Sequence, residues 1–260
     1  MSSAKTQDWN PEAYARFRGL RLRPALDLLA QVGAVPHGPV IDLGCGNGAV
    51  GAALATRFGP RIVGVDSSPA MLARALETGA YAALREADIA AWAADAPPAL
   101  IFSNAALHWL GGHADLLPRL ARMLAPGGTL AVQMPRQYAA PSHRFLRDIA
   151  VSMWPERFDF SQTAPPVLPA TGYWQLLAPY GAVEAWESDY VHHLPATPDA
   201  HPVRRFTEST AMRPIAEQLT PEEVTVFAAR YDAALGSAYP LMADGSALLP
   251  FRRVFFTVKV

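Results

Sequence analysis

The chain has 260 residues, of which 51% are hydrophobic and 17% charged, and its net charge is −1. This length suits one large α/β domain, or one domain that carries a substantial insertion. The balanced charge excludes a general attraction to nucleic acid or to an anionic membrane, so an anionic ligand must be held by a local cluster of Arg or Lys.

The single cysteine, Cys45, excludes an internal disulfide framework and favours a reducing, cytoplasmic location. No apolar run approaches the roughly 18 residues that a membrane span needs.

The first predicted element is a helix over residues 21–32, where leucines recur at helical spacing until Gly33 ends the pattern. Two residues near its start are candidates for binding a ligand. Tyr14 belongs to an aromatic segment that either packs on the domain or forms a flap over a ligand. Arg23 is either a solvated cation or a partner for a carboxylate.

The next element is a short apolar strand that ends at Asp42 and leads into a glycine loop and a helix. Glycine has no Cβ, so the loop backbone can come close to a ligand. Residues 46–51 match the dinucleotide pattern G-x-G-x-x-G, whereas residues 42–48 match the S-adenosylmethionine pattern D-x-G-x-G-x-G. A carboxylate at Asp42 would repel a pyrophosphate but attract an ammonium and a sulfonium group. The charge therefore favours S-adenosylmethionine, and the Cys45 thiol is interpreted as a small loop side chain rather than a nucleophile.

Two further acids follow the next two predicted strands. Asp66 ends the strand over residues 61–65, and its carboxylate is placed to accept both hydroxyls of a ribose. Ser67 lies at the start of the following helix, and Met71 on its first turn either contacts an adenine or simply packs. Asp88 follows a weaker strand over residues 81–84. It is either a surface aspartate or, with the Ile89 backbone, the acceptor for an adenine amino group, and its position as the third acid after three successive strands favours the second interpretation.

The fourth strand, residues 99–102, leads to Asn104 and Ala105 at the edge where open α/β sheets bind ligands. His108 is a candidate base, although a lone histidine beside Trp109 is more often structural. A fifth strand follows a Pro-Gly-Gly turn at residues 126–128.

The last two predicted strands, residues 183–192 and 253–258, are separated by nearly 60 residues that include a strongly helical segment over residues 221–238. That separation is too long for a hairpin turn. We therefore predict a single domain over residues 1–260 with a helical cap insertion at residues 195–250.

The motifs around the glycine loop together resemble class I S-adenosylmethionine-dependent methyltransferases. They are Asp42-Leu-Gly-Cys-Gly46, Gly64-Val-Asp66, Glu86-Ala-Asp88-Ile89 and Asn104-Ala105. More narrowly, six motifs spread along the chain resemble the trans-aconitate 2-methyltransferase family: Trp9-Asn-Pro11, Arg23-Pro-Ala25, Val132-Gln-Met-Pro135, Met212-Arg-Pro214, Arg230-Tyr231 and Tyr239-Pro-Leu241.

The resemblance implies a Rossmann-like seven-stranded sheet of order 3-2-1-4-5-7-6, with strand 7 antiparallel and helices on both faces. It also implies O-methylation of one carboxylate of trans-aconitate to the monomethyl ester. Asn47 stands where relatives often carry Pro, and His108 stands where at least one relative carries Gln. The predicted cofactor-binding residues are Tyr14, Arg23, Asp42, Gly44, Cys45, Gly46, Asp66, Ser67, Met71, Asp88, Ile89, Asn104 and Ala105.

A carboxylate acceptor is ionised at neutral pH, so this reaction requires alignment rather than an essential base or a metal. A tricarboxylate does require cations, and the guanidinium fork of Arg meets a carboxylate with two parallel hydrogen bonds. The predicted substrate-binding residues are Arg147, Arg213, Arg230, Tyr239, Arg253, His108 and Trp109. Three alternatives remain: a methyltransferase for another small or carrier-bound acid, a nicotinamide-dependent oxidoreductase, and a non-catalytic S-adenosylmethionine-binding protein.

Overall fold

The computed structural model of the protein describes residues 18–163 and 165–260. Its centre is a seven-stranded sheet in which the order is β3-β2-β1-β4-β5-β7-β6. The strands are β1 Val40–Leu43, β2 Ile62–Asp66, β3 Ala83–Glu86, β4 Leu100–Asn104, β5 Thr129–Pro135, β6 Ala182–Leu194 and β7 Ala247–Lys259. This order confirms the α/β fold that the resemblance implied.

Strands β1 to β5 run parallel, as their paired residues show. β7 runs antiparallel to β5, as the backbone hydrogen bonds at their two ends show. The Gly127 N–H, just before β5, donates to the carbonyl of Val260, just after β7. The Arg136 N–H, just after β5, donates to the Arg252 carbonyl in the first half of β7. β1 and β4 are buried along nearly their whole length, which explains why they read as continuous apolar runs rather than as alternating patterns.

The helices of the described residues are α1 Arg18–Gln31, α2 Gly51–Phe58, α3 Pro69–Leu76, α4 His113–Met123, α5 Pro141–Met153, α6 Ala170–Leu177, α7 Pro202–Thr207, α8 Arg213–Ala216 and α9 Pro221–Ala238. Short 3-10 turns lie at Leu107–Trp109 and Ala178–Tyr180. None of the described helices has both the length and the apolar composition that a membrane span requires.

Two of these helices begin with the capping chemistry that their sequences encode. The Ser68 side chain accepts a hydrogen bond from the Met71 N–H, and Pro69 occupies the first turn of α3. At α9, Thr220 and Glu223 form a reciprocal capping box. Each cap satisfies backbone N–H groups that have no partner within the helix, which sets where the helix begins.

The chain divides into two compact units. The first contains residues 18–134, Leu168–Glu187 and Val254–Val260. The second contains the described part of Pro135–Val167 together with Ser188–Arg253. Residues 195–250, the predicted cap insertion, belong to the second unit.

The third strand differs from its prediction. The predicted strand over residues 81–84 begins instead at Ala83, because Ala83 pairs with Val63 and Glu86 with Asp66. Tyr81 therefore precedes the strand, and its hydroxyl donates a hydrogen bond to the Asp42 carboxylate at 2.8 Å.

Candidate functional site

A cavity of about 290 Å³ lies in the first unit, where the carboxyl ends of β1, β2 and β4 meet. Parallel strands bring their carboxyl ends to one edge of the sheet, so residues distant in sequence gather there. The predicted cofactor-binding residues that line this cavity are Asp42, Gly44, Cys45, Gly46, Asp66, Ser67, Met71, Asp88, Ile89, Asn104 and Ala105. Trp109, predicted to bind substrate, also lines it.

The remaining predicted residues near this site lie elsewhere. Tyr14 lies outside the described residues. Arg23 is not among the lining residues; its side chain is 77% exposed and lies 3.8 Å from the Asp27 carboxylate. The lining residues that sequence reasoning missed are Leu22, Asn47, Ala49, Val50, Ala106 and Leu110. Leu22 belonged to a stripe of leucines whose period indicated only that one face of α1 is buried.

The glycine loop is held tightly at one end and open to the cavity at the other. The N–H groups of Gly44 and Cys45 both donate to the Val65 carbonyl, at 2.7 and 3.0 Å. A Cβ at Gly44 would lie 2.2 Å from the Ala106 Cβ, whereas a Cβ at Gly46 would meet nothing within 4 Å. The backbone at Gly46 is therefore accessible to a ligand in the cavity.

Asp66 joins this loop to the start of α3. One carboxylate oxygen accepts the Gly46 N–H at 2.8 Å, and the other accepts the Ser68 N–H at 3.0 Å. Each carboxylate oxygen has two acceptor positions, so each retains capacity for a ligand hydroxyl. These bonds fix the direction of the carboxylate before any ligand arrives.

Asp42 is buried, with only 2% of its surface exposed. Burial raises its pKa to about 7; the hydrogen bond from Tyr81 lowers the pKa, and the nearby Asp66 raises it further. Burial also raises the pKa of the Cys45 thiol, and the two carboxylates add to this effect. Cys45 is consequently a neutral thiol, which agrees with its interpretation as a small loop side chain rather than a nucleophile.

Two features at the end of β4 raise the free energy of the folded protein. The Asn104 side-chain oxygen is buried and has no hydrogen-bond partner among the described residues. Ala105 has φ 53°, which makes it the one non-glycine residue at positive φ within residues 18–163 and 165–260. Buried acceptors are normally satisfied, and strained backbone concentrates at functional sites. Together with the open backbone at Gly46, this wall fits a ligand that carries hydrogen-bond donors.

The two aromatic residues predicted to contact substrate near this wall occupy a short 3-10 turn. Trp109 is 53% exposed, and its ring centroid lies 4.6 Å from that of His108. His108 is not among the residues that line the cavity. The structure therefore brings Trp109, but not His108, into the cavity wall.

Two of the predicted substrate-binding residues are buried in the second unit. Arg253 is 3% exposed, and its guanidinium lies 4.9 Å from the centre of the Phe251 ring and 6.0 Å from that of Tyr190. The Tyr239 hydroxyl accepts the Ser142 N–H at 3.1 Å.

The other three predicted substrate-binding residues lie nearer the surface of this unit. The Arg147 guanidinium donates a hydrogen bond to the Tyr138 backbone carbonyl at 2.7 Å, and it lies 3.6 Å from the centre of the Tyr138 side-chain ring. Arg213 forms an ion pair with Glu217 at 2.8 Å, and Arg230 is exposed on α9. Their binding of substrate stays a prediction.

Comparison with known proteins gives matches that agree with one another and cover up to 97% of the chain. A family model described as a methyltransferase domain matches residues 40–128. The trans-aconitate 2-methyltransferase of Paracidovorax citrulli is 40% identical over 258 residues, covering 97% of this chain and 98% of that protein. The enzyme of the same name from Methylobacterium radiotolerans is 42% identical over 258 residues, with the same coverage.

Among solved structures, the phosphoethanolamine N-methyltransferase 2 of Haemonchus contortus, determined with S-adenosyl-L-methionine, is similar in fold. It aligns with a TM-score of 0.51 at 17% identity, covering 91% of this chain and 52% of that chain. At this identity the likeness concerns the fold alone.

Proposed function

The chain belongs to the trans-aconitate 2-methyltransferase family, and we propose that it transfers a methyl group from S-adenosylmethionine to one carboxylate of trans-aconitate, giving the monomethyl ester. The observation that carries this proposal is the extent of the similarity. It covers 97% of the chain at 40% identity, and so includes the second unit as well as the methyltransferase domain. Membership of a methyltransferase family also removes the reason to retain a nicotinamide-dependent oxidoreductase.

The cavity residues suit a nucleoside cofactor with a positively charged end. When bound, S-adenosylmethionine supplies a methyl group activated by its attachment to a sulfonium sulfur. In our proposal Asp66, already oriented by Gly46 and Ser68, accepts the ribose hydroxyls. Asp88 and the Ile89 backbone bind the adenine, and the unsatisfied oxygen of Asn104 accepts a hydrogen bond from a donor on the cofactor.

For the acceptor, the protein has to position an ionised carboxylate rather than remove a proton. The carboxylates of a small acid are ionised well below neutral pH. Alignment of two reacting groups supplies on the order of 7–11 kcal/mol in favourable cases. The placement of His108 away from the cavity wall supports a mechanism without an essential base.

Among the arginines proposed to bind the other carboxylates, Arg253 has the most favourable surroundings. It is buried and lies over aromatic rings, where a charge-assisted hydrogen bond is stronger than in water. We propose Arg147, Arg213, Arg230 and Tyr239 as further contacts. The interpretation of residues 195–250 as a cap insertion also remains a proposal, supported by the helices α7, α8 and α9 in that range.

The deciding experiment is mass spectrometry of a panel of acids incubated with the protein and methyl-labelled S-adenosylmethionine. The panel contains trans-aconitate, other di- and tricarboxylates and a carrier-bound acid. We expect trans-aconitate to gain one methyl group with the highest kcat/KM. Preferred methylation of another acid would replace the substrate, and no turnover with any acid would favour a non-catalytic binding protein.

A second measurement tests the absence of a base. With both substrates saturating, we expect kcat to be flat between about pH 6 and 9, since no catalytic group has to be deprotonated. A steep rise through about pH 6.5 that disappears in His108→Ala would contradict this mechanism and identify His108 as a base.

A further inference from the structure

Tyr81 lies beneath the glycine loop, between α3 and β3, and is not among the residues that line the cavity. Its hydroxyl donates a hydrogen bond to the Asp42 carboxylate at 2.8 Å. Its ring fills the space below two glycines: a Cβ would lie 2.7 Å from that ring at Gly51 and 2.9 Å from it at Gly64. A Cβ at Gly48, at the end of the glycine loop, would also lie only 3.1 Å from this ring. The Tyr81 ring therefore packs against the end of the loop and against the elements on either side of it, while its hydroxyl contacts Asp42.

We propose that Tyr81 is a positioning residue that keeps Asp42 oriented and negatively charged, and that it thereby sets the pH range in which the protein binds its cationic cofactor. This inference rests on the proposed function, because it takes S-adenosylmethionine as the ligand. Tyr81 acts through Asp42, which lines the cavity, and has no direct contact with the cofactor in this proposal.

The surroundings of Asp42 explain why its charge needs support. The titratable groups that shift the pKa of Asp42 are the Tyr81 hydroxyl and the Asp66 carboxylate. The neighbouring Cys45 thiol is neutral, because burial and the charge of Asp42 both raise its pKa. Burial and the like charge of Asp66 both favour the protonated form of Asp42. The Tyr81 hydroxyl opposes them, because it donates to the carboxylate and so stabilises the charged form.

The sign of the pH dependence follows from linkage. A positively charged ligand beside Asp42 favours its ionised form, so binding releases a proton wherever Asp42 is protonated in the free protein. With the Asp42 pKa at about 7, cofactor affinity should rise as the pH increases through neutrality and level off above it. Removal of the Tyr81 hydroxyl moves this rise to higher pH.

The matched substitution is Tyr81→Phe, because it keeps the ring against the glycines and removes only the hydroxyl. If the Asp42 pKa rises by about one unit, the dissociation constant of S-adenosylmethionine increases about fivefold at pH 7 and is nearly unchanged at about pH 8.5. The amino group of the cofactor titrates equally with every variant, so comparison between variants removes its contribution.

The experiment is isothermal titration calorimetry of S-adenosylmethionine binding to the full chain between pH 5.5 and about 8.5, with thermal melting to verify the fold of each variant. We expect the wild-type affinity to rise through neutral pH, and we expect Asp42→Asn to remove this rise. Tyr81→Phe should shift the rise upward, and in the Asp42→Asn background it should have no pH-dependent effect. The control is Tyr180→Phe, which removes a hydroxyl of the first unit that accepts from Arg122 and lies outside the cavity wall.

Three outcomes would overturn the inference. They are a flat wild-type profile, a Tyr81→Phe profile identical to that of the wild type, and a loss in Tyr81→Phe that is equal at every pH, which would indicate packing alone. The flat wild-type profile needs no Tyr81 variant, so misfolding of Tyr81→Phe does not prevent the test. Failure of the wild-type protein to bind S-adenosylmethionine at any pH would instead refute the proposed function.

Discussion

Substitution of Gly46 by Ala isolates the role of the open loop backbone. Gly46 has φ 53° and lines the cavity, and a Cβ there would meet no other protein atom within 4 Å. The left-handed backbone costs an alanine about 1–2 kcal/mol, which corresponds to a decrease in Tm of roughly 2–8 °C for a chain of this size. The new methyl group also enters the space that we assign to the cofactor. Steric conflict of about 1–3 kcal/mol would raise the dissociation constant of S-adenosylmethionine by roughly 5- to 150-fold.

Two other glycines of the first unit serve as matched controls. Gly112, which directly precedes α4, has a left-handed backbone with φ 67°, and a Cβ there would meet no other protein atom within 4 Å. It is not among the residues that line the cavity. Gly112→Ala should lose about as much stability as Gly46→Ala but bind the cofactor like the wild-type protein. Gly44→Ala should lose more stability than either, because its Cβ would lie 2.2 Å from the Ala106 Cβ.

Thermal melting and calorimetric titration of the three variants provide the comparison. Equal cofactor affinity in folded Gly46→Ala and Gly112→Ala would refute the assignment of this cavity to the cofactor. Equal melting temperatures for Gly44→Ala and Gly112→Ala would refute the packing argument at the closed end of the loop.

Three further predictions concern stability and substrate. The pKa of Asp42 is raised to about 7 in the folded protein, so the free energy of unfolding of the ligand-free protein should fall as the pH rises from about 4 to 7. Asp42→Asn lacks this ionisation, so its Tm relative to that of the wild-type protein should be higher at pH 8 than at pH 5. An equal difference in Tm at the two pH values would contradict this prediction. Arg213→Ala should raise the KM for trans-aconitate far more than the KM for the cofactor. The control is Glu217→Ala, which removes the ion-pair partner of Arg213 and should leave the KM for trans-aconitate nearly unchanged. Equal effects of Arg213→Ala on both KM values would indicate that Arg213 supports the fold rather than binds substrate. Thr220→Ala should cost about 0.5–2 kcal/mol of unfolding free energy by chemical denaturation, because it removes the capping box of α9. Thr225→Ala on the same helix is the control, and equal losses would exclude a capping effect.

Much of the cofactor site could be predicted from the sequence, because its logic is local. Apolar runs predict buried strands, and a polar residue directly after such a run lies at the carboxyl end of that strand. Asp42, Asp66 and Asn104 were identified in this way, and all three line one cavity. The resemblance to a known family supplied the order of the strands, which no local pattern contains.

The substrate residues were less predictable because an isolated arginine carries no local signal of its surroundings. Arg253 and Arg213 look alike in sequence. In the structure, however, Arg253 is 3% exposed and lies over aromatic rings, whereas Arg213 forms an ion pair with Glu217 at the start of the short helix α8. The difference arises from packing between segments distant in the chain.

The sequence alone determined the alternation of strands and helices, the glycine loop and the acids at the strand ends, because each depends on neighbours within a few residues. Only the tertiary structure decided that Asp42 is buried and bonded to Tyr81, 39 positions further along the chain. A residue's burial depends on which distant segments cover it, and burial is the largest influence on the pKa of Asp42. The sequence therefore identified Asp42 as a candidate ligand-binding carboxylate, but the fold determines how far Asp42 is ionised at neutral pH.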